Sequence, residues 1–128
     1  SLLSDSSLQG CLNLQFASAG HEDPESITLL ACPSSSVQSL AGISELSNLE
    51  QLELSDNSII DLSPLSSLRN LRVLSIRNNR ITDINALLPL PILRFVALQG
   101  NNRLPCRQLE ELGDKIGNSL NRPTSCVN

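Results

Sequence analysis

The chain has 128 residues, 40% apolar and 17% charged, which suits one globular domain and excludes a disordered chain. Its formal net charge of −4 argues against a nucleic-acid partner, which needs a basic footprint. There is no Trp, Tyr or Met and only two Phe, Phe16 and Phe95, so Leu and Ile must build nearly the whole core. Identical side chains pack well when the backbone repeats and offers them identical niches, so the composition points to a repeat architecture.

At the N-terminus, residues 4–19 place Leu8, Cys11, Leu12, Gln15, Phe16 and Ala19 at helical i, i+3, i+4 spacing. This predicts a short amphipathic helix, part of an N-terminal cap spanning residues 1–23. The connector "GHEDPES" follows. It holds the only histidine, His21, beside Glu22 and Asp23, and reads as a solvated loop rather than an acid–base group.

From Pro24 onward the chain comes into register with itself every 22 residues, in blocks 24–45, 46–67, 68–89 and a degenerating block from 90 to 104. The fourth column is Ile27, Leu49, Leu71, Leu93. The seventh is Leu30, Leu52, Leu74, Val96, and the ninth is Cys32, Leu54, Ile76, Leu98. Positions seven and nine are two apart, the strand period, so both point inward from one short strand per repeat. The twelfth column is Ser35, Asn57, Asn79, Asn101. Its amides can bond backbone groups that a turn leaves unpaired, and stacked copies can form a ladder. On the return path the apolar residues recur every third position, at Ile59, Leu62, Leu65 and at Ile81, Ile84, Leu87. That spacing predicts extended chain and short 3₁₀ turns instead of a long helix, with Ser63-Pro64 a good start for one such turn.

The segments "LSNLEQLELSDNSIIDLSPLSS" and "LRNLRVLSIRNNRITDINALLP" resemble the 22-residue leucine-rich repeats of the bacterial internalin class, with the pattern LxxLxxLxLxxNxIxDIxxL. The resemblance covers residues 24–104. It implies an α/β fold, a right-handed leucine-rich-repeat solenoid (horseshoe) with a short parallel sheet on the concave face and helical caps at both ends. The first repeat departs from the pattern at Cys32 and Ser35, and the fourth departs after Asn101, as capping requires. The resemblance further implies a secreted or surface-anchored bacterial protein.

At the C-terminus, Leu109, Leu112, Ile116 and Leu120 make a second amphipathic stripe with Gly117 as a candidate stop, inside a cap spanning 105–128. Cys106 precedes this helix and Cys126 follows it. The four cysteines contain no C-x-x-C pair, so two disulfides in an oxidising compartment are the expectation and metal is not; four buried free thiols are the alternative. With three strand spacings, on the order of 14 Å, between the ends, cross-pairing exceeds what a disulfide tolerates. The expected pairs are Cys11–Cys32 and Cys106–Cys126. No apolar run approaches the ~18 residues of a membrane span. No signal-peptide pattern or initiator Met opens the chain, so its export signal is expected outside this window.

Catalytic signatures are lacking: there is no G-x-S-x-G elbow and no Gly-rich phosphate loop, and Asp61 and Asp83 share one column, which suits turn capping. The expectation is a non-enzymatic protein-recognition module without cofactor or metal, a monomer, extracytoplasmic. It would bind a protein partner through outward strand positions and their rim: Gln51, Glu53, Asp56, Val73, Ser75, Arg77, Arg80, Phe95 and Gln99. Val73 and Phe95 stand side by side with Arg nearby, the make-up of an interface centre. Alternatively Phe95 packs sideways under the C-terminal cap, and the domain is a structural spacer or rigid cap of a larger surface protein. Charge is also uneven. Residues 1–68 hold nine acids and no Lys or Arg, while 69–128 hold all nine basic residues against four acids; this is either surface drift or a field that orients a partner.

Overall fold

The computed structural model describes residues 2–128. A helix, α1 (Ser6–Ala19), is followed by four short strands, β1 (Leu29–Ala31), β2 (Gln51–Glu53), β3 (Val73–Ser75) and β4 (Phe95–Ala97). A second helix, α2 (Cys106–Ile116), and a fifth strand, β5 (Leu120–Asn121), complete the chain. All strand pairs are parallel, in the order β1-β2-β3-β4-β5. The first four strands pair at a 22-residue offset, Leu30 against Leu52, Leu74 and Val96 in turn. The first four strands are three residues long, and the coil turns soon after a second inward side chain has been placed just past each strand. The return paths carry 3₁₀ turns at Ile43–Glu45, Ser63–Leu65 and Asn85–Leu87, as the spacing of three predicts.

The core is a stack of the apolar columns. Leu46, Leu49, Leu52, Leu54, Ile59, Leu62 and Leu65 of one coil are all buried, and Leu68, Leu71, Leu74, Ile76, Ile81, Ile84 and Leu87 of the next repeat them. Neither coil has a core of its own; each buries its leucines against its neighbours, which is why the fold exists only as a stack.

Two columns hold the turn after each strand. In the twelfth, the Asn79 carboxamide accepts from the Ile59 N–H (3.0 Å) and donates to the carbonyls of Leu54 (3.0 Å), Ile76 (3.0 Å) and Arg77 (3.1 Å). Asn57 and Asn101 repeat the arrangement one coil earlier and later. Every amide therefore ties its own turn to the preceding coil through backbone groups, and the ladder runs amide to backbone, not amide to amide. The eleventh column, Ser34, Asp56, Asn78 and Gly100, has φ of 50°, 61°, 55° and 87°. Asn and Asp tolerate this left-handed conformation better than most residues. At Gly100 the stacking removes even that choice, since a Cβ there would lie 3.0 Å from the Asn78 backbone.

The sixteenth column also has one job. Ser39 Oγ, Asp61 Oδ1 and Asp83 Oδ1 each accept the backbone N–H two residues on, from Ala41, Ser63 and Asn85. The Asp61 carboxyl is held below its ordinary value by the backbone and side-chain hydrogen bonds from Ser63. Ser63 itself, expected as a cap, instead donates its hydroxyl to Asp61.

α1 buries Leu8, Leu12 and Phe16 against the first coil. Ala19, expected on that face, is exposed, because the helix ends there and Gly20 turns away in a left-handed C-cap. Gln15 is half-buried and donates its amide to the Leu29 carbonyl on the open edge of β1. Asp5 caps the helix by accepting from Ser7 and Leu8 N–H, while its other oxygen accepts from Gln38 (2.8 Å) and Ser39 (3.0 Å) on the first return path. Burial pushes the Asp5 carboxyl up, but the N–H donors of Gln38, Ser39, Leu8 and Ser7 outweigh it and hold the group below its ordinary value.

At the other end the expected stripe is corrected. The helix stops at Ile116, before the left-handed Gly117, and Leu120 is not helical. It adds β5 to the sheet, paired with Val96, and closes the exposed edge of β4. Gln108 of α2 accepts from the buried Ile84 N–H at 2.8 Å, on the return path three residues past the Ile81 N–H that Asn101 accepts. The disulfides are Cys11–Cys32, with Cα atoms 6.1 Å apart, and Cys106–Cys126, 5.1 Å apart, and among the described residues no cysteine is free.

Candidate functional site

The sheet brings the sixth column into one line. Leu29, Gln51, Val73 and Phe95 are consecutive register partners across β1 to β4. At strand spacing of about 4.8 Å this row spans roughly 14 Å. Leu29 is 46% exposed, Gln51 is exposed, and Val73 and Phe95 are half-buried. Neither Val73 nor Phe95 joins the buried core cluster. The half-burial of Phe95 comes with a place on the sheet face beside Val73. Leu29 stands at the far end of the same row, separated from Val73 by the polar Gln51, and its membership of the same column is the signal for including it.

The eighth and tenth columns behave differently. Ala97, Ser75 and Ser55 are buried although they alternate outward with the inward columns. The Ser55 and Ser75 hydroxyls bond each other at 2.9 Å, and Glu53 turns back to accept the Ser55 N–H at 2.7 Å. Ser75, expected as a contact residue, is thus largely withdrawn, and Glu53 is half-committed to its own strand. A shallow hollow of about 150 Å3 lies over β1 to β3, lined by Leu29, Gln51, Glu53, Val73 and Ser75 among others.

Of the rim residues, Asp56 is a left-handed turn residue whose carboxylate accepts from the Asn78 side chain at 2.8 Å. Arg77 is exposed two residues past the end of β3, and the half-buried Gln99 has a side-chain oxygen with no hydrogen-bond partner among the described residues. Arg80 is exposed but lines a different hollow, with Ile60 and Arg103, past the asparagine turn. The structure therefore brings Gln51, Val73 and Phe95 together in one row, leaves Arg77 two residues past β3, and places Arg80 in another hollow. Charge changes sign along the stack, and Glu50 of one coil pairs with Arg72 of the next at 3.5 Å.

His21 is exposed, and its Nδ1 accepts the Asp23 N–H at 3.3 Å. No helix among the described residues is long and apolar enough to cross a membrane. The paired cysteines fit an oxidising, extracellular setting.

Residues 47–89 match the family model for leucine-rich repeats in two copies. No curated protein sequence matches the chain significantly. Among solved structures, an internalin (inlF) from Listeria monocytogenes superposes with a TM-score of 0.81 at 31% identity, over 98% of this chain and 44% of that one. An internalin C2 from the same organism gives 0.70 at 23% identity, over 99% and 68%, a likeness of fold. The functional domain of InlJ, also from Listeria monocytogenes and containing a cysteine ladder, gives 0.71 at 25% identity, over 81% of this chain and 24% of its own. The chain thus spans less than half of the first of these proteins. With a 22-residue coil, an asparagine turn and a parallel strand stack all in place, the chain is an internalin-like leucine-rich-repeat protein, on a fold used for protein interaction.

Proposed function

We propose that this domain recognises a protein partner through the concave sheet, acting as a monomer on a secreted or surface-anchored bacterial protein. The observation that carries this reading is the row Leu29–Gln51–Val73–Phe95, in register across four strands, with its aromatic outside the core cluster; Arg77 is exposed two residues past the end of β3. An aromatic flanked by an arginine is the composition of interface centres, where single side chains carry ~2 kcal/mol or more. Contact then rests on Gln51, Val73, Phe95, Arg77 and Gln99, with Glu53 and Asp56 contributing at the margin. The two disulfides support a place outside the cytoplasm.

The test compares binding with melting. Phe95→Ala and Arg77→Glu should each weaken the complex about tenfold or more and leave the Tm nearly unchanged, with Ser67→Glu silent in both. Association should slow as salt rises if the partner is acidic where it meets Arg77. The internal pairing of Glu53, Ser55 and Ser75 favours a second reading, a structural spacer, since those groups are already satisfied. Under that reading Phe95→Ala lowers the Tm by several degrees and no partner is lost.

A further inference from the structure

The solenoid sorts charge by coil. Residues 24–67, the first two coils, hold six acids and no Lys or Arg. Residues 68–104, the next two, hold six Arg, no Lys and one acid, Asp83. Asp83 is on the return path, where its carboxylate is engaged by the Asn85 N–H and the Gln108 amide. From Arg72 to Arg77 and from Arg94 to Gln99, the stretches that carry β3 and β4, there is no acid at all. The use of Arg throughout suits oxyanion partners, because its planar fork offers a carboxylate two parallel donors.

Two of these arginines bear on the apolar pair of the sheet. Arg72 immediately precedes Val73 and Arg94 immediately precedes Phe95, so they share the fifth column at the start of adjacent strands. The Arg94 N–H donates to the Arg72 carbonyl at 2.9 Å. Both side chains are exposed. Arg94 makes no ion pair among the described residues, and Arg72 makes one, with Glu50 at 3.5 Å, between side chains each 44% exposed. Past the other end of β3, the exposed Arg77 is in no ion pair among the described residues either. The same column carries Thr28 and Glu50 in the first two coils. A neutral or an acidic residue therefore serves the coil equally well there, and the fold has no need of Arg72 or Arg94.

We propose that the protein partner meets β3 and β4 with an acidic segment, in which an apolar side chain covers Val73 and Phe95 and flanking carboxylates reach Arg72, Arg94 and Arg77. This rests on the sheet-face reading and adds to it the chemistry of the partner and two further contact residues. The half-buried apolar pair favours a protein segment over an anionic polysaccharide, which has no apolar side chain to lay on it. Covering the pair also excludes water from the adjoining guanidinium groups and strengthens their hold on a carboxylate. Glu50 competes with the partner for Arg72.

The test titrates the full isotope-labelled chain with a capped Glu-Glu-Leu-Glu-Glu peptide, with its Gln-for-Glu counterpart and with dextran sulfate. The expected result with the Glu peptide is saturable shifts at the Val73 methyls, the Phe95 ring and the Arg72 and Arg94 Nε–H groups. The affinity should be roughly millimolar and should weaken as salt rises. Arg94→Gln should weaken binding about threefold, while Arg107→Gln, the same loss of charge on α2, leaves it unchanged. Glu50→Gln should tighten binding about twofold because it frees Arg72, an effect that a purely structural ion pair would not produce. Equal binding of the Gln peptide overturns the proposal and leaves the sheet-face reading standing. Dextran sulfate that shifts Val73 and Phe95 as tightly as the Glu peptide overturns it in favour of a polysaccharide. Arg94 shifts that change on dilution of the chain alone overturn it in favour of a second copy. No saturable shift with any probe overturns it as well, and the Tm of Phe95→Ala still decides the sheet-face reading separately.

Discussion

The middle of the stack and its two ends solve the same problem by different means. Each inner coil leaves backbone groups unpaired in the turn after its strand, and one asparagine per coil satisfies them by reaching the coil before it. On the return paths next to the two caps, single side chains from outside the repeat satisfy further N–H groups. Asp5 collects four backbone N–H groups from α1 and the first return path, and Gln108 accepts the N–H of Ile84 in the third. A periodic solution needs one residue type in one column. An end needs a particular residue in a particular place, then a covalent bond to hold it: Cys32 ties α1 to β1, and Cys126 ties the tail to the start of α2.

The disulfides give the largest expected separation between the ends. Each closes a loop of about twenty residues, worth roughly 3 kcal/mol in the chain-entropy model. Cys32 is buried at an inward strand position whereas Cys126 is exposed. Cys32→Ser should therefore cost about 4–5 kcal/mol and Cys126→Ser about 3, the difference arising from a hydroxyl placed in the core. Denaturant titration of the two variants checks this; equal losses would mean that the N-terminal closure depends no more on the core than the C-terminal one does.

Next in size is the inner ladder. Asn79→Ala should cost about 1–3 kcal/mol, because it strands the Ile59 N–H and the Leu54, Ile76 and Arg77 carbonyls. Asn70, by contrast, is exposed and makes one long bond, 3.4 Å, to Asn48. Its replacement by Ala should change stability by less than about 0.5 kcal/mol. Chemical denaturation of both separates a buried amide column from a surface one.

The N-terminal end has a pH signature that the inner coils lack. Asp5→Ala should cost about 1–2 kcal/mol at neutral pH as a lost helix cap. The folded-state value of Asp5 is lowered, so its contribution is complete above the unfolded value of about 4 and is lost as pH falls through the lower folded value. The gap between wild type and Asp5→Ala should therefore close below about pH 4, while the gap for Asn79→Ala, which involves no titrating group, stays open. Melting curves of the two variants at neutral and low pH read this directly. A gap for Asp5→Ala that persists at low pH would show that the carboxylate's charge is not what joins α1 to the first coil.

The smallest effect concerns the turn column. Ser34, Asp56 and Asn78 share the left-handed conformation that Gly100 adopts, but only Gly100 meets the Asn78 backbone. Gly100→Ala should cost on the order of 1–2 kcal/mol; Asp56→Gly should be within about 0.5 kcal/mol of wild type, its lost bond to Asn78 offset by relieved backbone strain. Thermal melts of the two test whether this column tolerates residues by backbone conformation or by side-chain bonding.

The period, the buried columns and the asparagine turn are legible in the residues for one physical reason, while α1 is legible from its helical spacing and the disulfide pairs from the distance between the ends of the stack. In a stack, neighbours in space are separated by a constant 22 positions, so long-range contacts are written as a local period. Where that translation fails, so did the reading. Leu120 continues an apolar stripe on paper, but Gly117 ends the helix and an open strand edge on β4 captures the segment as β5. Ser75 alternates outward, yet it is buried with its hydroxyl paired to Ser55 of the preceding coil. Arg80 is close in sequence to Arg77 but lies past the turn, on another face, where three coils together form a groove with Ile60. Asp5 is an ordinary helix cap by sequence, and only the packing of α1 onto the first return path gives its second oxygen the Gln38 and Ser39 N–H groups. Side-chain pairing between coils, edge capture and helix docking each depend on where several elements meet at once, and no repeating column records that.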